Sequence, residues 1–205
     1  MEMNILIERL QALMAKGGRQ ILGIAGPPGS AKSTIARGLA ESMGRAAVVV
    51  PMDGFHLAND ELVRLGRRDR KGAPDTFDIA GYRALLDRLR EGGPEVVYAP
   101  RFDRETETAV AGAIPVGPDV RLVITEGNYL LLDTPGWADI RSRLDEAWFL
   151  DLGAEARQAR LVARRVRHGD TADAAAEWVR TVDEPNARLI APSADRADVV
   201  IRLDA

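Results

Sequence analysis

Cysteine is absent from the 205 residues. That excludes a disulfide framework, a thiolate zinc site and a cysteine nucleophile. A dominant charge of one sign is also missing: the formal net charge is −3 at pH 7, so no global basic field draws the chain to nucleic acid or an anionic membrane. No apolar run approaches the ~20 residues of a membrane span. The opening MEMNILIERLQALMAK lacks both the basic start and the long apolar centre of a signal peptide. Glu2 and Glu8 sit instead among short apolar runs at helical spacing, which predicts an amphipathic helix within residues 1–19. The cytoplasm is the expected location. Lysine is scarce too, with only Lys16, Lys32 and Lys71 in a chain that otherwise uses arginine.

What is present is an ordinary globular composition, 46% apolar and 29% charged, at a length that suits one domain over 1–205. The segments QILGIA, AAVVVPM, RLVITEG, EAWFLDL and ADVVIRL are short, mostly apolar on both faces, and bounded by turn or charge signals. They read as strands buried in a parallel sheet. Helical patterns at 32–43, 79–91, 137–145, 154–168 and 173–191 fall between them. This alternation predicts a three-layer α/β domain, a mostly parallel central sheet with helices on both faces. Residues 54–118 are less regular and rich in Gly, Pro and Arg, with VVYAPRF as a further strand, and are where substrate-side insertions are expected.

The stretch GPPGSAKST, residues 26–34, lies between the first strand and the first of those helices, the context in which a Walker A pattern has meaning. Backbone N–H groups of such a loop converge with the positive end of the helix dipole on one anion. Gly26, Pro27, Pro28, Gly29, Ser30, Ala31, Lys32, Ser33 and Thr34 form the expected nucleotide cradle, Lys32 reaching the β and γ phosphates of ATP and Ser33 ligating Mg²⁺. Ala31 stands where the pattern asks for glycine, and a negative, helix-like φ is expected there. An exposed lysine in the first turn of a helix is disfavoured by the dipole unless an anion is present, which favours the phosphate reading of Lys32.

Two further strands end in acids. Glu126 closes RLVITEG and Asp53 follows AVVVPM. Parallel strands present such tips on one sheet edge, beside the loop. A carboxylate there can hold Mg²⁺, the role expected of Glu126, or orient and deprotonate an acceptor hydroxyl, the role expected of Asp53. Arg164, Arg165 and Arg167 crowd the end of the fourth predicted helix, and over residues 157–172 they suit a lid that brings cations to a transferring phosphoryl group. His56 reads as a partly buried structural histidine and His168 as solvent-facing. Trp137, Trp148 and Trp178 read as packing residues, and the basic run at 64–72 as a solvated loop.

GIAGPPGSAKST, PMDGF, KGAPDTFD, VYAPRFD, VITEGNYLLL, LVARRVRHGDT and EWVRTVDEPNARLIAPSADRADVVI occur in the order found in the phosphoribulokinase, uridine kinase and bacterial pantothenate kinase family of P-loop kinases, which the chain resembles over residues 20–203. Within it the chain is most similar to small bacterial nucleoside/nucleotide-kinase-like proteins often labelled fructokinase. The resemblance implies ATP and Mg²⁺ as cofactors, Lys32 and Ser33 on the phosphates and metal, Asp53 as catalytic base, Glu126 as metal-associated acid, and Arg164, Arg165 and Arg167 in the lid. It implies substrate contacts from Asp75, in KGAPDTFD, and from Tyr98 and Arg101, in VYAPRFD. That last segment contains a histidine in the pantothenate and uridine kinases and none here, which turns the expected acceptor toward a smaller polyol or sugar. The expected activity is transfer of the γ-phosphate to a hydroxyl of a small molecule: a sugar such as fructose, a nucleoside or a pantothenate-like acceptor. The competing class is a catalytically quiet ATP-binding regulator. A GTPase is disfavoured by the absence of an Asn-Lys-x-Asp segment. Neither nucleic acid nor membrane is expected as a partner, and a homodimer is left open.

Overall fold

Burial on both faces is what makes a strand apolar at every position, and the five such runs form one parallel sheet. The computed structural model describes residues 3–203; Met1 and Glu2, assigned above to the N-terminal helix, lie outside the described residues, as do the last two. In chain order the elements are α1 (Met3–Met14), β1 (Gln20–Ala25), α2 (Lys32–Met43), β2 (Ala47–Pro51), α3 (Asn59–Arg64), α4 (Ile79–Glu91), β3 (Val97–Asp103), β4 (Thr108–Val116), β5 (Leu122–Gly127), β6 (Glu146–Leu152), α5 (Ala154–Arg167), α6 (Ala172–Trp178), α7 (Glu184–Ile190) and β7 (Val199–Leu203). The sheet order is β2-β5-β1-β6-β7, all parallel. No helix among the described residues is long and apolar enough to cross a membrane.

Strand alternation sorts the core into two layers. Leu22, Ile24, Leu122, Ile124, Trp148 and Leu150 face α1 and α2, where Leu6, Leu10, Leu13, Ala36 and Leu39 meet them. Ile21, Val123, Ala147 and Phe149 face the other way, onto Tyr82, Leu85, Leu86 and Leu89 of α4, with Trp137, Ile140 and Ile190. Helices thus cover both faces, as the alternation predicts. Trp137 and Trp148 are fully enclosed packing residues.

VVYAPRF is a strand, as expected, and pairs antiparallel with β4 in a separate two-stranded sheet. Two helices differ from the sequence expectation. The helix expected at 137–145 is a 3₁₀ segment, Ala138–Arg143. The helix expected at 173–191 is interrupted by a π-helical turn, Val179–Asp183, ahead of α7. Pro185 withholds the N–H that the carbonyl four residues earlier would use, and the helical ladder widens there.

Candidate active site

The sheet register brings the predicted acids together. Glu126 aligns with Ile24 of β1 on one side and Pro51 of β2 on the other. The phosphate-loop candidate therefore leaves β1 beside Glu126, and Asp53 lies in the short 3₁₀ turn that follows β2, Met52–Phe55. Loop, strand ends and α5 line a single cleft of about 1470 Å³.

The loop is built around two glycines. Gly26 has φ 151° and Gly29 φ 81°, backbone that favours glycine. A Cβ on Gly29 would lie 2.8 Å from the Arg157 carbonyl oxygen, and one on Gly26 2.7 Å from that of Leu150. The loop nests against β6 and α5 too closely for side chains at either position. Ala31 overturns the expectation of a negative φ: it is left-handed, with φ 67° and ψ 20°, and α2 begins only at Lys32. The alanine closes the loop in a glycine-type conformation instead of opening the helix.

Lys32 is buried, 8% exposed. Its Nζ donates to the carbonyls of Gly26 at 2.9 Å and Pro27 at 3.0 Å. Burial pushes its pKa down to about 8, against the opposing pull of Glu126 and Asp53. Ser33 Oγ donates to Glu126 Oε1 at 2.8 Å. Burial raises the Glu126 carboxyl above its ordinary range, with the Asp53 charge adding and Lys32 opposing. Asp53 Oδ2 accepts from the Arg104 guanidinium at 3.1 Å. Arg104, in the turn of the β3–β4 hairpin, carried no signal in the sequence, since only the hairpin fold brings it to Asp53.

The remaining sequence candidates divide. Ser30 and Thr34 line the cleft with Lys32 and Ser33, as do Arg164, Arg165 and Arg167. Arg165 is nevertheless tied down inside the lid: it bonds Asp170 at 2.6 Å and stacks on Trp178 at 4.5 Å from the ring centroid. Trp178 thus serves as a stacking platform for an arginine at the cleft, and His168 is exposed at its rim. Burial and the neighbouring Arg104 lower the pKa of the Arg164 guanidinium, which remains a cation. Asp183, on the π turn, lines the cleft with its pKa pushed up to about 6 by burial.

Asp75, Tyr98 and Arg101 do not line the cleft. The Asp75 carboxylate is paired with Arg70 at 2.9 Å and Arg67 at 3.3 Å. In β3 alternation turns Val97 and Ala99 inward and leaves Tyr98 exposed, and the register shift between Ala99 and Arg101 breaks the alternation and leaves Arg101 exposed as well. The cleft receives Phe102 and Arg104 from this hairpin instead. Nor is the 64–72 run uniformly solvated: Lys71 is buried, bonded to Asn59 and to the Glu107 carbonyl, and lies 5.0 Å from the Phe102 ring centroid.

A Schizosaccharomyces pombe protein provisionally assigned as a uridine kinase is 32% identical over 96% of this chain and 88% of its own length. A pantothenate kinase of Leifsonia xyli is 32% identical over 90% of this chain and 66% of its own. Among solved structures, a Silicibacter sp. TM1040 protein provisionally assigned as a fructose transport system kinase superposes with a TM-score of 0.90 at 42% identity, covering 98% of this chain and 99% of that one. The profile of the Phosphoribulokinase / Uridine kinase family matches residues 21–204. With the strand–loop–helix at Gly26–Ser33 and the two strand-end acids beside it, the chain belongs to the Phosphoribulokinase / Uridine kinase family.

Proposed function

We propose that this protein is an ATP-dependent phosphotransferase that moves the γ-phosphate to a hydroxyl of a small polyhydroxy compound, with a sugar such as fructose as the leading acceptor. The observation that carries the reading is the convergence of Lys32, Ser33, Glu126 and Asp53 on one cleft. A fructose-class acceptor is supported by the Silicibacter neighbour, 42% identical and covering 98% of this chain. Nucleosides and pantothenate-type compounds are the next acceptors to test.

Each residue has a task its surroundings suit. The loop N–H groups and the α2 N-terminus hold polyphosphate, and Lys32 moves from the Gly26 and Pro27 carbonyls onto the phosphate oxygens. The donor set around Ser33 Oγ and Glu126 is all oxygen, and no group of three or more His, Cys, Asp or Glu among the described residues could hold a metal unaided. That set suits Mg²⁺, which binds through one or two carboxylates, waters and substrate phosphates. Bound there, Mg²⁺ would neutralise charge on the β and γ oxygens. Asp53 accepts the proton of the attacking hydroxyl, with Arg104 fixing the carboxylate in place. Arg164 and Arg167 offer cations to the transferring group, while Arg165 shapes the lid through Asp170 and Trp178.

The test is ADP release with Mg²⁺ and ATP across sugars, polyols, nucleosides and pantothenate. Acceptor-dependent turnover that Lys32→Ala abolishes supports the assignment. ATP binding with no turnover on any compound would favour a quiet regulator.

A further inference from the structure

His56 is held more firmly than a packing histidine needs to be. Its backbone N–H and its ring Nδ1 both address the carbonyl of Asp53, at 3.1 Å and 2.8 Å. Its ring lies between those of Phe77 and Phe102, with centroids at 4.1 Å and 4.6 Å. A backbone bridge joins His56 to Phe77, and Leu57 N donates to the Thr76 carbonyl at 3.0 Å. The imidazole can neither rotate nor leave without breaking this clamp.

The chemistry of the bond to Asp53 then assigns the tautomer. A carbonyl oxygen only accepts, so Nδ1 must carry the proton. Burial lowers the pKa of His56 against the Asp53 charge and the hydrogen bond to the Asp53 carbonyl, and Lys71 and Arg104 push the same way as burial. The ring is therefore neutral at neutral pH, and Nε2 keeps its lone pair. Nε2 has no hydrogen-bond partner among the described residues. It is also not sealed in, since the enclosed unpartnered side-chain atoms are Ser30 Oγ, Arg165 Nε and Glu184 Oε1. His56 lines the same cleft as Asp53. A fixed acceptor thus stands one turn of chain from the proposed base.

We infer that His56 Nε2 accepts a hydrogen bond from a second hydroxyl of the phosphate acceptor, near the one that attacks, and so selects polyols over compounds with a single hydroxyl. The inference deepens the proposed function and rests on it. A site built to bond a substrate hydroxyl rejects the analogue lacking it, by up to 10⁴–10⁵ in the strongest cases, because its own polar group is left unpaired. A lone acceptor at a partly open cleft should give about 10²-fold.

The experiment uses the full chain with D-fructose and its monodeoxy and anhydro analogues, and reads kcat/KM for wild type and for His56→Asn. Asparagine can keep a donor near the Nδ1 position while deleting Nε2. Wild type should lose about 10²-fold for one analogue in particular, and His56→Asn should accept that analogue and the parent within severalfold of each other. Equal discrimination by both proteins at every position overturns the inference while leaving the kinase reading intact. In parallel, ¹⁵N-histidine spectra of wild type and His168→Gln separate the two histidines of the chain. They should show Nδ1 protonated and Nε2 bare at neutral pH. A proton on Nε2 overturns the inference without reference to turnover. Failure of the whole acceptor panel, nucleosides and pantothenate included, defeats the kinase function and the inference with it.

Discussion

Replacing Ala31 by glycine isolates the cost of a methyl group in the phosphate loop. At φ 67° and ψ 20° the alanine occupies the left-handed region, which costs an L-residue roughly 1–2 kcal/mol. Glycine removes that strain but adds freedom to the unfolded chain, worth about 0.4–1 kcal/mol in the opposite sense. The residue precedes the first helical position, Lys32, so helix propensity does not enter. The balance is a gain of about 0.5–1 kcal/mol for Ala31→Gly, a rise in Tm of roughly 1–4 °C for a chain of this size. The sign is opposite to that for an alanine inside the helix, where glycine destabilises by up to ~1 kcal/mol. Urea denaturation at equal slope measures the stability, and titration with a non-hydrolysable ATP analogue and Mg²⁺ measures the site. Nucleotide affinity should stay within severalfold, because the loop already has the conformation that glycine would adopt. A variant less stable than wild type by 0.5 kcal/mol or more would refute the strain argument. A tenfold gain in affinity would show instead that the methyl obstructs the phosphates.

Four other substitutions probe separate parts of the site. Lys32→Ala should weaken both nucleotide binding and transfer, whereas Asp53→Asn should leave ATP affinity nearly unchanged and lower kcat by ~10²-fold or more; normal turnover by Asp53→Asn removes it as the base. Gly29→Ala must place a Cβ 2.8 Å from the Arg157 carbonyl at φ 81°, so it should cost more than ~2 kcal/mol and abolish binding of the ATP analogue, and calorimetry showing wild-type affinity would contradict the loop geometry. Asp183 binds its proton more tightly folded than unfolded, from an ordinary value of 3.8 to about 6. Stability should therefore fall as pH rises through that window and stay lower above it. Asp183→Asn should flatten the profile and stabilise by up to ~3 kcal/mol at pH 7, and an unchanged profile in denaturation series across pH 4–7 would exclude Asp183 as its source.

The sheet was legible because burial on both faces writes itself as unbroken apolar runs, and all five runs became its strands. The loop, Lys32, Ser33, Asp53 and Glu126 were legible because local spacing and strand ends locate them. β4 was not: TAVAGAIPV is largely exposed, built of small residues, and has no core face to impose a period. The outward turn of Tyr98 and Arg101 depends on the register of β3 against that strand, and Arg104 reaches Asp53 only through the same pairing. Ala31 escaped because a left-handed alanine contradicts local preference and is imposed by the loop around it. The clamp on His56 comes from Phe77 and Phe102, 21 and 46 positions away in sequence, which no local pattern records.

The β3–β4 hairpin forms its own sheet and joins no strand of the five-stranded one. It nevertheless supplies Phe102 against His56 and Arg104 against Asp53. The proposed nucleotide half of the cleft is thus tied into the parallel sheet, where change at a glycine or strand end is punished by the whole core. The proposed acceptor half hangs partly on a hairpin that packs Val97, Ala99 and Val116 into the core, while its exposed turn can change length or residues without disturbing the five-stranded sheet. On the proposed function, such a division would let the turn alter acceptor preference while the phosphate loop stays fixed.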